Sequence, residues 1–213
     1  AKSGELLPLP FRENFERCGG DRLAKYFADV HGAFEAAPCG GGRPGMCYRQ
    51  MIAQEPILWH GAKMPPTTIV GDPRWWGDYE VGVDALLEGP GYVVLLGRVE
   101  AQQHNAAGYH FQISDTGDWT LSTQGELDRS IYAEIEPSQS RTLASGTNSP
   151  FGLNTWHRLA LRFRGNEIAA LLDGRAVATV RDDSHTTGQT GLRASAWQHA
   201  QFDNFSVAQT APW

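Results

Sequence analysis

Short stretches of the chain alternate between apolar and polar residues. In segment 79–85 every odd position is apolar, and the acids Glu80 and Asp84 lie between them. Segment 158–164 repeats the pattern, with arginine at three of its four even positions. A period of two is typical of a β-strand that buries one face and exposes the other to water. Both segments are therefore predicted to be half-buried strands.

Turn-forming residues separate the predicted strands. The pair Asp173-Gly174 stands between two apolar runs and predicts a hairpin, because a tight hairpin turn requires positive φ at both central positions. The helical period is weak, and its one candidate, segment 21–29, is short. Roughly a dozen short strands with very little helix indicate an all-β fold, a sandwich of two antiparallel sheets.

The composition fits one folded domain with no internal linker. Hydrophobic residues make up 41% of the 213 residues, which is enough for a single sizeable core. Residues 1–10 contain prolines and show no alternation, so we interpret them as a leader strand or a linker remnant. We expect a further segment to precede them in the intact protein.

The charge argues against two classes of partner. The net charge is −6 at pH 7, and no run of lysine or arginine is longer than two residues. Nucleic acids and anionic membrane surfaces attract basic patches, so neither is an expected partner. Apolar runs fall far short of the ~20 residues that a membrane-spanning helix requires, so no membrane span is expected.

Three cysteines lie in the first quarter of the chain, and none has the spacing of a structural zinc site. Cys39 and Cys47 flank a glycine-rich loop, and a disulfide between them would offset the entropy lost when that loop is ordered. Three reduced thiols, with Cys18, are the alternative. The odd number leaves at least one cysteine unpaired within the chain.

Glu134 and Glu136 are the candidate catalytic acids. On a strand their side chains would share one face about 6 to 7 Å apart, a separation compatible with glycoside hydrolysis. The ExDxxE strand of sandwich glycosidases is absent, as are nucleophile-elbow and phosphate-loop motifs. A solvated acidic strand face is the alternative interpretation.

Segments near the two ends of the chain combine oxygen-bearing residues with phenylalanine. Terminal strands of a sandwich often lie side by side, and Phe15 and Phe205 would then enter the core. Asn14, Glu16 and Asp203 would supply side-chain oxygens to Ca²⁺, a cation that takes six to eight oxygen ligands. Ordinary capping and hydrogen bonding by these three residues is the alternative.

Candidate sugar ligands are exposed tryptophans and the polar residues of one sheet face. Proteins stack sugar rings on aromatic side chains and read hydroxyl groups with arginine, histidine and amide side chains. Trp59 and Trp156 adjoin apolar runs and are expected in the core. The predicted sugar-binding residues are Trp75, Trp76, Trp197, Arg98, His110 and Gln112. A solvated polar sheet face is the alternative for the last three.

Several short motifs occur in a recognisable order. They are Phe11–Phe15, Gly32–Glu35, Tyr48–Gln50, Pro56–Trp59, Gly71-Asp72 with Trp75, Gly97–Val99, Trp156 before an alternating strand, and the closing AQFDNF of Ala200–Phe205. The set closely resembles the C-terminal lectin domain of the galactosylceramidase family of glycoside hydrolases. More distantly, it is similar to laminin-G and concanavalin-like jelly rolls. The resemblance covers residues 11–208 and leaves 209–213 as a C-terminal tail.

The resemblance implies a jelly-roll lectin domain that follows a catalytic TIM barrel and a smaller β-sandwich and carries a calcium site. Asp203 matches the calcium-binding aspartate of the family, and Asn14 stands where the N-terminal strand of the family has an aspartate. The catalytic glutamates of the family belong to the barrel, which 213 residues with this strand pattern cannot contain.

We therefore expect a non-catalytic carbohydrate-binding module from a secreted, galactosylceramidase-like hydrolase that acts on β-galactosides. Its partners would be a galactose-containing glycan and an upstream catalytic domain. Two alternatives stay open. The chain is a small sandwich hydrolase or lyase in its own right, or it is a structural domain that completes the active site of its parent enzyme.

Overall fold

A computed structural model describes residues 7–20, 22–53, 65–71, 76–102, 105–124, 140–195 and 198–210. Within these ranges the chain forms fifteen β-strands and no helix, and hence no helix that could cross a membrane. The strands are β1 (Phe11–Glu13), β2 (Phe27–His31), β3 (Phe34–Pro38), β4 (Met46–Gln50), β5 (Thr67–Val70), β6 (Tyr79–Leu87), β7 (Tyr92–Gln102), β8 (Asn105–Ser114), β9 (Asp118–Gln124), β10 (Ser140–Thr147), β11 (His157–Arg164), β12 (Glu167–Leu172), β13 (Arg175–Arg181), β14 (Gln189–Ala194) and β15 (Ala200–Gln209).

The described strands form two antiparallel sheets. The larger sheet has eight strands in the order β13-β12-β11-β6-β15-β4-β3, with β1 paired to β15. The smaller sheet has seven, in the order β10-β9-β8-β7-β14-β5-β2. One core cluster draws buried side chains from both sheets, so the sheets pack face to face. The predicted all-β jelly-roll sandwich is confirmed.

Alternation along the strands determines which side chains enter the core. Every odd position of segment 79–85 is buried, as are the apolar positions of β11. Phe163 of the larger sheet contacts Tyr79 and Tyr109, with ring centres 5.0 and 5.7 Å apart. The predicted hairpin at Asp173-Gly174 joins β12 to β13, and both turn residues have positive φ.

The two ends of the chain meet in the larger sheet. Strand β1 pairs with β15, and Phe15 and Phe205 are fully buried, as predicted. Leu7 is also buried, so the end of the predicted leader packs against the sandwich. The candidate helix at 21–29 is wrong, because its last residues begin strand β2. The domain limits at residues 10 and 208 stay predictions.

Candidate functional site

The outward side of the larger sheet carries a continuous set of polar side chains around one indole, here called the polar face. Most of them stand on strands whose other side fills the core, and loop 39–47 places Arg43 above them. The side chains of its ion-paired members are 8% to 40% exposed, so solvent reaches the surface. The ion pairs hold these side chains in place. The polar face consists of Arg43, Arg49, Glu80, Asp84, Glu88, Trp156, Arg158, Arg162, Gln201, Asp203, Asn204 and Ser206.

Two carboxylates face each other at the centre of the polar face. Asp84 on β6 and Asp203 on β15 are direct cross-strand neighbours. Like charges in this position repel. Arg43 offsets the repulsion, because its Nη1 donates to Asp84 Oδ2 at 2.9 Å and to Asp203 Oδ2 at 2.7 Å.

A β-bulge in strand β15 brings further donors to the same carboxylates. Pairing with β6 shifts between Asp203 and Ser206, and Asn204 has a positive φ of 49°. The Asn204 amide Nδ2 donates to Asp84 Oδ2 at 2.9 Å. Arg158 Nη1 donates to Asp84 Oδ1 and to the Asn204 carbonyl, and its Nη2 donates to Ser206 Oγ. The bulge therefore directs the Asn204 side chain toward the two carboxylates.

Loop 39–47 is fixed above the sheet. Cys39 and Cys47 form a disulfide, which decides between the two possibilities that the sequence left open. A Cβ on Gly41 would lie 2.7 Å from Leu86 Cδ1, so the loop approaches the sheet closely. Trp156 Nε1 donates to the Gly40 carbonyl at 3.0 Å, and the Arg43 guanidinium carbon lies 4.0 Å from the centre of the Trp156 ring. Both contacts hold Arg43 over the carboxylates.

A second charged group extends the polar face toward β4. Arg49 donates to both carboxylate oxygens of Glu88, at 2.6 and 2.7 Å. Gln201 donates to Glu88 Oε1 and accepts from the Gly40 amide, at 2.7 Å in each case. The hydrogen bonds from Arg49 lower the pKa of Glu88, and the same pairing raises the pKa of Arg49. Glu88 is therefore held as an ionised hydrogen-bond acceptor.

A depression of about 600 Å³ adjoins the polar face where β1 meets β15. Its wall combines cationic, anionic and amide side chains with one hydroxyl. The lining residues are Arg12, Glu13, Asn14, Arg158, Asn204, Phe205 and Ser206. Such a mixture of donors and acceptors suits a ligand rich in hydroxyl groups.

Trp76 is the one predicted tryptophan ligand within the described residues, and it lies in the core. Trp76 is 5% exposed and packs against Gly71 and Tyr79, so its ring is not available for a sugar. Trp75 and Trp197 lie outside the described residues.

Arg98 does not share a face with His110 and Gln112, and that part of the prediction is corrected. The pairing of β7 with β8 shifts between Gly97 and Glu100, and Arg98 has a positive φ of 46° in this bulge. Its side chain is 1% exposed and donates to the carbonyls of Gly77, His185 and Gly165. Burial lowers the pKa of Arg98. The guanidinium holds loops together and is closed to a ligand.

His110 and Gln112 point outward from the smaller sheet, as alternation predicts. The face around them is mostly closed, however. His110 is 7% exposed, with Nε2 at 2.7 Å from the Ala106 carbonyl, and its neighbours Val94 and Leu96 are buried in a separate apolar cluster. Gln112 is partly exposed. The four predicted sugar ligands that the structure describes, Trp76, Arg98, His110 and Gln112, do not form one open site.

The predicted calcium ligands already have hydrogen-bond partners within the protein. Glu16 Oε1 accepts from the Met46 amide, and exposed Asn14 accepts from the Glu16 amide. Asp203 is bound by Arg43 and Asn204. Among the described residues, the one cluster of three candidate metal ligands joins Asp203 to the two cysteines of the disulfide, which are not thiolates. Calcium binding stays a prediction, and the surroundings of Asp203 do not fit a cation.

Of the central residues of the polar face, the sequence singled out Asp203 alone, as a metal ligand, and the others were missed. Alternation places Asp84 and Arg158 on a wet strand face, but it does not show that they meet. Arg43 lies in a glycine-rich loop without any periodic signal. Trp156 was expected in the core, and the structure leaves it partly exposed. The cysteines on either side of the loop were the one available signal for Arg43, because a disulfide between them would order the loop that carries it.

Comparison with known proteins supports the lectin-domain interpretation. Residues 29–210 match the family described as galactocerebrosidase, C-terminal lectin domain. The galactocerebrosidase of Danio rerio is 26% identical over 195 residues, which cover 86% of this chain and 27% of that protein. The galactocerebrosidase of Macaca mulatta is 25% identical in an alignment 226 positions long, which covers 98% of this chain and 31% of that protein. The chain thus spans about a third or less of these curated relatives.

A solved structure supports the fold. The carbohydrate-binding module CBM66 from Bacillus subtilis superposes with a TM-score of 0.61 at 16% identity, covering 86% of this chain and 96% of that one. At this identity the similarity shows the shared sandwich fold alone. The match over most of the sequence shows more: the chain belongs to the family of galactocerebrosidase C-terminal lectin domains.

Proposed function

We propose that this lectin domain binds carbohydrate on the polar face, with Trp156, Arg158 and the adjoining depression at the centre of the site. The ligand class is a glycan that contains galactose. The domain acts as the non-catalytic part of a secreted, galactosylceramidase-like hydrolase of β-galactosides. Its partner within that enzyme is an upstream catalytic domain.

The observation that carries the proposal is the difference between the two outward sheet faces. The polar face presents arginine, carboxylate and amide groups at fixed positions beside a partly exposed indole. On the smaller sheet, by contrast, Leu96 and His110 are buried. A sugar needs an open surface with both hydroxyl-binding groups and an aromatic ring, and among the described residues the polar face offers both.

The network also favours binding through its rigidity. Arg158 is already held by Asp84 and Ser206, and Glu88 by Arg49. A ligand that meets side chains already in position loses less conformational entropy on binding. The contacts with each sugar unit are individually weak, and an extended glycan would gain affinity by making several of them at once.

Catalysis by this chain is the less favoured alternative. A glycosidase needs a carboxylic acid whose pKa is raised so that it can donate a proton. On the polar face the hydrogen bonds from Arg49 lower the pKa of Glu88, which keeps it from acting as the acid. Asp84 and Asp203 accept hydrogen bonds from Arg43. The other candidate acids, Glu134 and Glu136, lie outside the described residues.

Calorimetry with galactose, lactose, galactan and xylan tests the proposal. We expect binding to a galactose-containing ligand and a loss of about tenfold or more in the Trp156→Ala and Arg158→Gln variants. Gln112→Ala, on the outward face of the smaller sheet, is the matched control and should bind as the parent does. Melting curves verify that the variants fold. Absence of binding to all four sugars, or loss of binding in Gln112→Ala alone, would refute the proposed site.

A further inference from the structure

We propose that the guanidinium of Arg43 takes the place of a divalent cation between Asp84 and Asp203, so that the lectin domain keeps its polar face ordered without calcium. The proposal does not depend on sugar binding. It concerns the stability of the folded chain.

All four oxygens of the two carboxylates already have N–H donors. Asp84 Oδ2 accepts from Arg43 at 2.9 Å and from the Asn204 amide at 2.9 Å, and Asp84 Oδ1 accepts from Arg158 at 3.2 Å. Asp203 Oδ2 accepts from Arg43 at 2.7 Å, and Asp203 Oδ1 accepts from the Asn204 backbone amide at 2.7 Å. A calcium ion would have to displace these donors, because it binds oxygen and is repelled by the guanidinium.

Burial makes a positive charge necessary at this point. The side chains of Asp203 and Asp84 are 8% and 17% exposed, and they are direct neighbours across two strands. Two partly buried carboxylates at such a separation destabilise the sheet unless a cation lies between them. The Arg43 Nη1 atom occupies that position.

Three contacts hold this arginine in place. The disulfide between Cys39 and Cys47 closes the loop that carries Arg43. The guanidinium lies on the Trp156 ring, at 4.0 Å from its centre, and the indole donates to the Gly40 carbonyl of the same loop. The side chain of Arg43 is 24% exposed, which limits its freedom to swing into solvent.

Melting curves of the full chain test the proposal. The melting temperature of the wild-type chain should be the same in EDTA and in millimolar Ca²⁺. Arg43→Gln should melt roughly 5 °C or more below the wild type, since it removes the cation that bridges the two carboxylates and leaves Arg158 in contact with Asp84 only. Arg175→Gln, which removes an exposed arginine from strand β13 of the same sheet, is the matched control and should melt as the wild type does.

A second substitution separates charge neutralisation from a general loss of packing. Asp203→Asn should lower the melting temperature of the wild type but raise that of Arg43→Gln, because it removes the like-charge repulsion that the variant exposes. Three results would overturn the proposal: a wild-type melting temperature that falls in EDTA and recovers in Ca²⁺, an Arg43→Gln variant as stable as the control, or the same sign for Asp203→Asn in both backgrounds.

Discussion

Tyr109 and Asp182 are joined by a hydrogen bond of 2.7 Å from the phenol Oη to the carboxylate Oδ1. The bond connects β8 of the smaller sheet to the segment that follows β13 of the larger one. Asp182 also accepts from the Ser184 amide and from the Arg141 guanidinium. Burial alone would raise the pKa of Asp182, but the hydrogen bonds from Ser184, Tyr109 and Arg141 outweigh it and lower the pKa to about 2.

The Asp182→Asn variant should be less stable than the wild type by about 1 to 2 kcal/mol at pH 6, because it weakens hydrogen bonds to a buried carboxylate. An unfolded aspartate has a pKa of about 3.9, so the stabilisation is complete above pH 4 and is lost as the pH falls toward 2. Urea unfolding from pH 6 to pH 2 should show that the free energies of unfolding of the wild type and of Asp182→Asn converge as the pH approaches 2. Asp183→Asn, at an exposed neighbour, is the control, and a difference that does not change with pH would contradict the assignment.

His110 should destabilise the fold as it becomes protonated. Burial, with a smaller effect of the Arg193 charge, lowers its pKa to about 3. The unfolded value is about 6.5, so the neutral form stabilises the folded state above pH 6.5 and this contribution is lost as the pH falls toward 3. In urea unfolding, His110→Gln should make the free energy of unfolding depend less on pH over that window. Gln112→Ala, at a position of the same outward face that does not titrate, should leave the pH dependence in place. An unchanged slope in His110→Gln would show that another group causes it.

Alternation was sufficient to predict the sandwich, since burial on one face of a strand is a local property with a period of two. The same reasoning placed Arg98 wrongly, because a single-residue bulge in β7 rotates its side chain and leaves no mark in the hydrophobic pattern. The centre of the polar face was also beyond sequence reasoning. Asp84 and Asp203 lie far apart in the chain and become neighbours only through the register of β6 and β15, which many distant contacts determine together.

Arg98 should be essential for stability rather than for sugar binding. Its guanidinium donates to three backbone carbonyls and lies 4.8 Å from the Phe163 ring centre. Arg98→Lys keeps the charge but cannot reach all three acceptors, so we expect a loss of about 2 to 4 kcal/mol in the free energy of unfolding. Chemical denaturation measures this loss. Calorimetry well below the melting temperature should show unchanged sugar affinity, and weaker binding by a stably folded variant would restore Arg98 as a ligand residue.

The disulfide and Arg43 should stabilise the chain cooperatively. A loop of the length between Cys39 and Cys47 lowers the entropy of the unfolded chain enough to contribute about 2 to 3 kcal/mol, so the Cys39→Ser and Cys47→Ser double variant should lose at least that much. Opening the loop also frees Arg43 from its place above Asp84, and Arg43→Gln should therefore cost less in the opened loop than in the closed one. Urea unfolding of the wild type, the cysteine variant, Arg43→Gln and the combined variant measures this coupling, with Cys18→Ser as the control for thiol removal. Costs that add to within about 0.5 kcal/mol would mean that the disulfide does not position the arginine.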